Sequence, residues 1–292
     1  METHKYILLK LTSIQGSLKH YFHFLYSVLI PLILEYISLS QKYKNLTFII
    51  DTDLGPMLRI LLQLPIDIKL KCYLTNFNEL NPETVYLKSM DLRPTHDEKD
   101  LKFIEKGWAK RLTKEDYIKV NKFMKDCISN HNLFSCREKY DIVIIERKTS
   151  VGFSTTEFVK NKYTQIMKTS GSERRSIINH SEFVNCVKKI FVDSNILNVS
   201  LEYLPLFDQY NIFNNAKIII AQHGAALGNI IFMKQNSIVI EIISKVKIED
   251  EENWFEPISK ECGIKHYQFV AEKEHAKINI NKFKNFIKDI LK

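Results

Sequence analysis

The residues KIIIAQHGAALGNIIFMKQNSIVIEII, at positions 217–243, indicate the fold class of this chain. Two apolar runs, 217–222 and 237–243, are short and continuous, as is typical of strands buried on both faces of a parallel sheet. Small residues at 224–228 separate the first run from a helical segment at 230–233. We therefore predict a strand, a tight turn, a helix and a second strand, which together form a β–α–β unit.

The same alternation of strands and helices extends through the rest of the chain. In the C-terminal half we predict strands at 140–145 and 198–203 and helices at 181–191, 205–214 and 278–292. In the N-terminal half we predict strands at 5–14, 46–50 and 84–88 and helices at 18–39, 57–64 and 97–131. This pattern predicts an α/β protein with parallel sheets flanked by helices, divided into two units, 1–135 and 136–292.

Composition excludes several classes of protein. With 45% apolar and 26% charged residues the chain can build a hydrophobic core, so disordered, collagen-like and low-complexity classes are excluded. Lysine and arginine number 42 against 34 aspartates and glutamates, and the net charge of +8 favours anionic partners such as nucleotide phosphates, nucleic acid or anionic lipid. The five cysteines are widely spaced without a CxxC pair, which indicates neither a disulfide framework nor a zinc site.

The most apolar segment is 21–39, whose length approaches the ~20 residues needed to span a bilayer. His23, Pro31 and Glu35 interrupt it, so we predict a buried helix and no membrane span. The N-terminus does not have the layout of a signal peptide, and the cysteine pattern is typical of a reducing compartment. We therefore expect a cytoplasmic protein.

The turn at 223–229 has the features of an anion site. Gly224, Ala225, Ala226 and Gly228 allow another group to approach the backbone closely, and a helix N-terminus offers unpaired N–H groups with a partial positive charge. His223 falls at the carboxyl end of a predicted strand, the edge at which open α/β sheets bind ligands. The competing interpretation is a tight turn with a histidine that packs in the core.

Asp51 and Asp53 form a D-x-D sequence after the predicted strand at 46–50. Two carboxylates placed in this way can hold Mg²⁺ or Mn²⁺ against a diphosphate. However, the phosphate-binding features lie in the other half of the chain. We therefore expect a strand-terminating turn in which one of the two aspartates caps the next helix, and no bound divalent metal.

The sequence HGAALGN at 223–229, followed by an apolar run and VIEI, resembles the signature of glycosyltransferase family 61. The residues that match the family pattern are His223, Gly224, Ala225, Leu227, Asn229, Phe232 and Glu241. Ala226 and Gly228 stand where the family has glycine and threonine or serine. Three other segments match in the family's order along the chain: YFHFL at 21–25, IIER at 144–147 and RSIINHSE at 175–182.

The resemblance implies a glycosyltransferase of the GT-B type, which has two Rossmann-like lobes and a cleft between them. It places the nucleotide-sugar donor on the C-terminal lobe and the acceptor on the N-terminal lobe, with the last helix, 278–292, packed back on the N-terminal lobe. Asn179 and Glu182 either contact the donor or cap the following helix, and Glu241 holds either a ribose hydroxyl or a backbone N–H. The donor-binding candidates, which include two arginines suited to phosphate oxygens, are Arg147, Arg175, Asn179, Glu182, His223, Gly224, Ala225, Ala226, Leu227, Gly228, Asn229 and Glu241.

Sugar transfer with inversion needs a base that takes the proton of the acceptor hydroxyl. His23 is the first candidate for this base, because it matches the family motif and histidine titrates near neutrality. His20 lies on the same face of the predicted helix, and Asp51, Asp53 and Asp91 are further alternatives. The nucleotide sugar, linked to UDP, is a substrate, so no cofactor is expected.

Three functions compete at this point. The first is an inverting, metal-independent glycosyltransferase that acts on a hydroxyl of a protein, a glycan or a small molecule. The second is a catalytically inactive relative that binds a sugar nucleotide or a partner. The third is a nucleic-acid-binding protein, suggested by the net charge and by the lysines and aromatic residues near the C-terminus. We favour the first, because that C-terminal segment fits an amphipathic helix better.

Overall fold

A computed structural model of the chain describes residues 4–11, 18–91, 109–130, 138–147, 176–202, 204–249 and 254–290. Contacts within it define two compact units. The N-terminal unit comprises Met1–Ser135 with Pro205–Phe207, and the C-terminal unit comprises Cys136–Leu204 with Asp208–Lys292. Each unit contains its own parallel sheet.

The N-terminal unit is built on a four-stranded sheet. Its described elements are β1 (Lys5–Leu11), α1 (Tyr21–Ser40), β2 (Leu46–Ile50), α2 (Leu58–Leu61), β3 (Ile68–Leu70), β4 (Glu83–Leu87), β5 (Ser89–Asp91), β6 (Ala109–Arg111) and α3 (Lys114–Asn130). The strand order is β3–β2–β1–β4, and every neighbouring pair is parallel. A separate parallel pair is formed by β5 and β6. The central strand β2 is buried along its whole length, as expected for LTFII in a covered sheet.

Helix α1 contains the apolar segment that raised the question of a membrane span. Its turns are π-helical over Leu25–Leu29 and α-helical on either side. Among the described residues it is the one helix long and apolar enough to cross a membrane. More than half of its most apolar stretch is buried inside the protein, including every residue from 24 to 33. A core helix of a folded unit has this pattern of burial.

The C-terminal unit is built on a five-stranded sheet. Its described elements are β7 (Tyr140–Ile145), α4 (His180–Ile190), β8 (Ile196–Val199), α5 (Leu206–Asn215), β9 (Ala216–Gln222), β10 (Ile238–Ser244), α6 (Lys245–Glu249), α7 (Phe255–Glu261), β11 (Lys265–Ala271) and α8 (Ile280–Ile290). The strand order is β11–β10–β9–β7–β8, again with every neighbouring pair parallel. The prediction of an α/β protein with parallel sheets flanked by helices is therefore confirmed.

This strand order creates a topological switch point between β7 and β9. From β7 the chain crosses to β8 on one side, and then returns to form β9 on the other side. In open parallel sheets the crevice outside the carboxyl ends of two such strands is where ligands bind. The residues that follow β7 and β9 are therefore the first place to look for a site.

Helix α8 packs in the core of the C-terminal unit. Its apolar face is buried inside the C-terminal unit, where Phe283 is fully buried and its ring lies 4.7 Å from that of Phe183 in α4 and 5.2 Å from that of Phe269 in β11. Because the apolar face is already covered by its own sheet and by α4, the helix belongs to the core of the C-terminal unit.

The helix after β9 begins earlier than the predicted helical segment at 230–233. Gly224 has a φ of 149°, and the following residues form a 3₁₀ helix, Ala225–Phe232. The first hydrogen bond of this helix runs from the Leu227 N–H to the Gly224 carbonyl at 2.9 Å. This i to i+3 spacing tightens the turn and brings its backbone N–H groups close to the strand end.

Candidate functional site

Arg147 and Gly224 meet at the switch point of the C-terminal sheet. Arg147 follows β7 and His223 follows β9, and the two strands pair in register, with Ile145 beside Ala221. The guanidinium Nη2 of Arg147 donates a hydrogen bond to the carbonyl oxygen of His223 at 3.1 Å. The side chain of Arg147 is therefore held across the turn that follows β9.

Position 224 requires glycine for two reasons. A Cβ atom there would lie 1.5 Å from Nη2 and 2.7 Å from Cζ of Arg147, which is far inside van der Waals contact. Its φ of 149° is also a conformation that residues with a side chain rarely adopt. Gly224 thus makes the space in which the Arg147 guanidinium lies.

The amide groups of Ala225 and Ala226 follow Gly224 at the start of the 3₁₀ helix. They precede the first hydrogen bond of the 3₁₀ helix, so the helix itself provides no acceptor for them. Both residues are partly exposed, whereas Leu227 and Gly228 are buried. The Arg147 guanidinium and backbone N–H donors at the switch point are groups of the kind that bind phosphate oxygens.

Two further residues of the predicted turn, Asn229 and Ala226, differ in their burial. Asn229 is fully buried, and its amide donates to Oε1 of Gln209 in α5 at 3.2 Å. The structure therefore gives Asn229 a partner inside the fold. Ala226, which stands where the family pattern has glycine, is partly exposed.

The side chain of His223 is held by a buried carboxylate. Nδ1 of His223 lies 2.6 Å from Oε1 of Glu241, which is 1% exposed and lies in the middle of β10. The ring of Phe255 packs edge-on against the His223 ring at 5.3 Å. We predicted that Glu241 holds a ribose hydroxyl or a backbone N–H, and the structure shows it holding this imidazole.

Two residues of β11 complete the surroundings of Glu241, and sequence reasoning missed both. Gln268, which is in register with Glu241, donates to Oε2 at 3.1 Å. His266 Nε2 approaches the same oxygen to 3.1 Å, although at an angle outside hydrogen-bond geometry. Most residues of β11 are partly or fully exposed, so nothing in the local sequence distinguished these two polar residues from surface residues.

These contacts explain the ionisation of Glu241. Burial raises the pKa of a carboxyl, but the hydrogen bond with His223 and the approach of His266 favour the charged form. The second effect is the larger one and lowers the pKa of Glu241 to about 2. Glu241 is therefore a buried anion at neutral pH, held by groups from the two neighbouring segments.

A polar pocket of about 240 Å³ opens beside Arg147. Its lining residues come from the end of β7, the segment before and at the start of α4, and the end of β9: Ile145, Glu146, Arg147, Ser176, Ile177, Ile178, His180 and Gln222. Glu146 and His180 were absent from the sequence-based candidates. Both residues lie inside segments that match the family, IIER at 144–147 and RSIINHSE at 175–182. Neither was singled out, because their local pattern does not distinguish them from surface residues.

Asn179 and Glu182 have structural contacts. The side chain of Asn179 bonds both backbone groups of Ile278, donating to its carbonyl at 3.1 Å and accepting from its N–H at 2.8 Å. It also donates to Glu182 at 2.9 Å. The residue occupies the N-cap position of α4 without capping it, so the helix-cap interpretation is corrected. Arg175, the second arginine candidate, lies outside the described residues.

His23 lies in the first turn of α1 and is half-buried. Burial lowers its pKa to about 4, and the nearby His20, whose ring centroid is 6.1 Å away, contributes in the same direction. Its Nδ1 is buried without a hydrogen-bond partner among the described residues. The imidazole is therefore neutral near pH 7, which is the form that accepts a proton, but it does not titrate near neutrality as the sequence led us to expect.

Each aspartate of the D-x-D sequence is paired with lysine. Asp51 contacts Lys71 at 2.9 Å, and Asp53 contacts Lys19 at 2.8 Å. The hydrogen bond from each lysine lowers the pKa of its aspartate. Asp53 also accepts the N–H of Gly55, which closes a turn at this strand end without capping a helix.

The described residues contain no cluster of three or more potential metal ligands. Asp91, the last of the candidate bases, ends β5, where its backbone pairs with that of Arg111.

The C-terminal unit is thus a parallel α/β sheet with an arginine at its switch point, the edge at which sheets of this kind bind ligands. The chain belongs to glycosyltransferase family 61, because the family model for Glycosyltransferase 61 matches residues 21–240, well over half of its length. The resemblance found in the sequence is thereby confirmed. The family is one of glycosyltransferases, so a sugar donor and an acceptor are its substrates. A comparison with curated proteins found no match.

Proposed function

We propose that this protein is an inverting glycosyltransferase that transfers a sugar from a UDP-linked donor to a hydroxyl of a protein, glycan or small-molecule acceptor. The observation that carries the proposal is the Arg147 guanidinium held over Gly224 at the switch point. A nucleotide sugar carries a diphosphate, and negative charge grows on it as the bond to the sugar breaks. Hydrogen-bond donors that are already in place beside the diphosphate stabilise the departing nucleoside diphosphate.

The proposal includes the GT-B type of architecture and independence of a divalent metal. Each unit has its own parallel sheet, which suits a donor site on the C-terminal unit and an acceptor site on the N-terminal unit. Arg147 with the two amides supplies the positive charge that a metal provides elsewhere, and the D-x-D carboxylates are already paired with lysines. A cytoplasmic location is also proposed; the free thiols of Cys72, Cys127, Cys186 and Cys262 suit a reducing compartment.

The test is a thermal-shift panel of UDP-, GDP-, CMP- and dTDP-sugars, each with EDTA and with Mn²⁺. A ligand that binds the native state raises the melting temperature, so we expect a rise of about 5 °C with the UDP-sugar in both conditions. Arg147→Ala should abolish this rise, whereas Arg59→Ala, which removes an exposed arginine of α2, should retain it.

A rise in melting temperature that requires Mn²⁺ would contradict metal independence and would favour a metal site at Asp51 and Asp53. If none of the four donors raises the melting temperature, the proposed transferase activity is contradicted. Donor binding without turnover, measured as release of UDP in the presence of acceptors, would favour the catalytically inactive relative.

We also propose that His23 is the base that deprotonates the acceptor hydroxyl. His23→Gln is expected to lower the transfer rate by about 10²–10⁴-fold, the usual contribution of general base catalysis. Donor affinity should stay unchanged, because the proposed donor site uses residues of the C-terminal unit. The measurement is single-turnover sugar transfer together with donor titration.

His20→Gln serves as the matched comparison for His23→Gln. Both variants remove one imidazole from the start of α1. Full activity in His23→Gln combined with a large loss in His20→Gln would reverse the assignment. Full activity in both would remove the two histidines as candidates.

A further inference from the structure

Glu146 and Arg147 follow β7 directly and extend to opposite sides of that strand. Arg147 reaches the turn after β9 through the His223 carbonyl. Glu146 lies on the β8 side, where its N–H bonds the Val199 carbonyl at 2.8 Å and its Oε2 lies 3.4 Å from the amide of Asn198. A ligand that lies across the end of β7 therefore meets a cation on one side and a carboxylate on the other.

Asn198, which donates to the carboxylate of Glu146, is itself held by His180. His180 at the start of α4 places Nε2 4.0 Å from Oε2 of Glu146 and 2.9 Å from Oδ1 of Asn198. Since an amide oxygen only accepts, Nε2 carries the proton of this ring. The side chain of Glu146 is nevertheless 25% exposed and lines the pocket beside Arg147. It is held in place and remains accessible to a ligand.

Arg147 and Glu146, on the two sides of β7, favour different parts of a nucleotide. Phosphate oxygens are attracted to Arg147 and repelled by a carboxylate. A carboxylate accepts hydrogen bonds through two oxygens, which matches two hydroxyl groups on neighbouring carbons.

We propose that Glu146 accepts hydrogen bonds from a pair of neighbouring hydroxyl groups of the donor and so sets the direction in which the nucleotide lies across the sheet edge. This inference rests on the proposed function, because it assigns part of the same donor. The hydroxyl pair belongs either to the ribose of the nucleotide or to the transferred sugar. Both sources present the same chemistry to the carboxylate.

The experiment is calorimetric titration of the full chain with UDP, 2′-deoxy-UDP and UDP-glucose. The wild-type protein is expected to bind UDP about tenfold more tightly than 2′-deoxy-UDP, the effect of one lost hydrogen bond to a charged group. Glu146→Gln should weaken UDP binding about tenfold and bind the two nucleotides equally. Glu261→Gln, which removes the same charge from an exposed position of α7, should behave as the wild type does.

The outcomes distinguish the ribose from the transferred sugar as the source of the hydroxyl pair. They also distinguish failure of this inference from failure of the proposed function. Loss confined to UDP-glucose in Glu146→Gln supports the hydroxyl pair and assigns it to the transferred sugar. Unchanged affinity of Glu146→Gln for all three probes overturns the inference and leaves the proposed function in place. Failure of the wild-type protein to bind any of the three overturns both.

Discussion

Glu241→Ala is expected to lower the free energy of unfolding by about 2–4 kcal/mol, the usual effect of leaving one or two buried polar groups without a hydrogen-bond partner. Glu241 is 1% exposed and interacts with His223, His266 and Gln268. Without the carboxylate, His223 and Gln268 lose their hydrogen-bond acceptor, and the imidazoles of His223 and His266 stay buried. Urea unfolding of the full chain measures the change.

The control is Glu261→Ala, which removes a carboxylate from an exposed position of the same unit. A surface substitution of this kind usually changes the free energy of unfolding by less than about 0.5 kcal/mol. Equal effects of the two variants would show that the contacts of Glu241 contribute nothing beyond a surface charge.

The pH dependence of unfolding gives a second measure of the same contacts. The pKa of Glu241 is about 2 in the folded protein and about 4.5 as its ordinary value. Since the unfolded chain takes up the proton first, the contribution of Glu241 is present above about pH 4.5 and is lost as the pH falls toward 2. Glu241→Gln should remove this part of the pH dependence. An unchanged profile between pH 4.5 and 2 would contradict the assignment of the carboxylate as a buried anion.

Gly224→Ala is expected to weaken nucleoside diphosphate binding by about 100-fold, a loss equivalent to one or two hydrogen bonds to a charged group. The new methyl group would occupy the position of Nη2 of Arg147, so the guanidinium must leave its place over the turn. Titration of the variant with UDP measures the affinity, and the melting temperature reports any loss of stability in the same sample.

Gly263→Ala is the matched control for Gly224→Ala. Gly263 also has a positive φ, 68°, but a Cβ atom there meets the side chain of Gln235 at an ordinary 3.4 Å. Both variants carry backbone strain of about 1–3 kcal/mol, and one of them displaces Arg147. Equal UDP affinity in the two variants would show that the position of the Arg147 guanidinium does not matter for binding.

Local sequence was sufficient for the class of fold and for the strand ends. The apolar runs at 140–145, 217–222 and 237–243 coincide with β7, β9 and β10 to within one residue, because burial on both faces needs nothing but continuous apolar side chains. The turn at 223–229 was predicted from its small residues and is the turn that contains the site. Arg147 was identified from the family motif.

The sequence did not reveal how these parts meet. Arg147 and His223 are 76 positions apart, and their hydrogen bond depends on β7 and β9 being neighbours in the sheet. The contact between His223 and Glu241 depends on the pairing of β9 with β10, and Gln268 reaches Glu241 because β11 follows in register. The support of the site by β11 lies beyond the residues that the family model matches.

The sequence by itself therefore determined which segments are strands, where the chain turns, and which family the protein resembles. The tertiary structure decided why position 224 is glycine, which histidine the Glu241 carboxylate holds, and that α8 packs inside its own unit. Apolar periodicity is a property of each segment, whereas the partner of a polar side chain depends on strand order and register. These arise from packing between segments that are far apart in the chain.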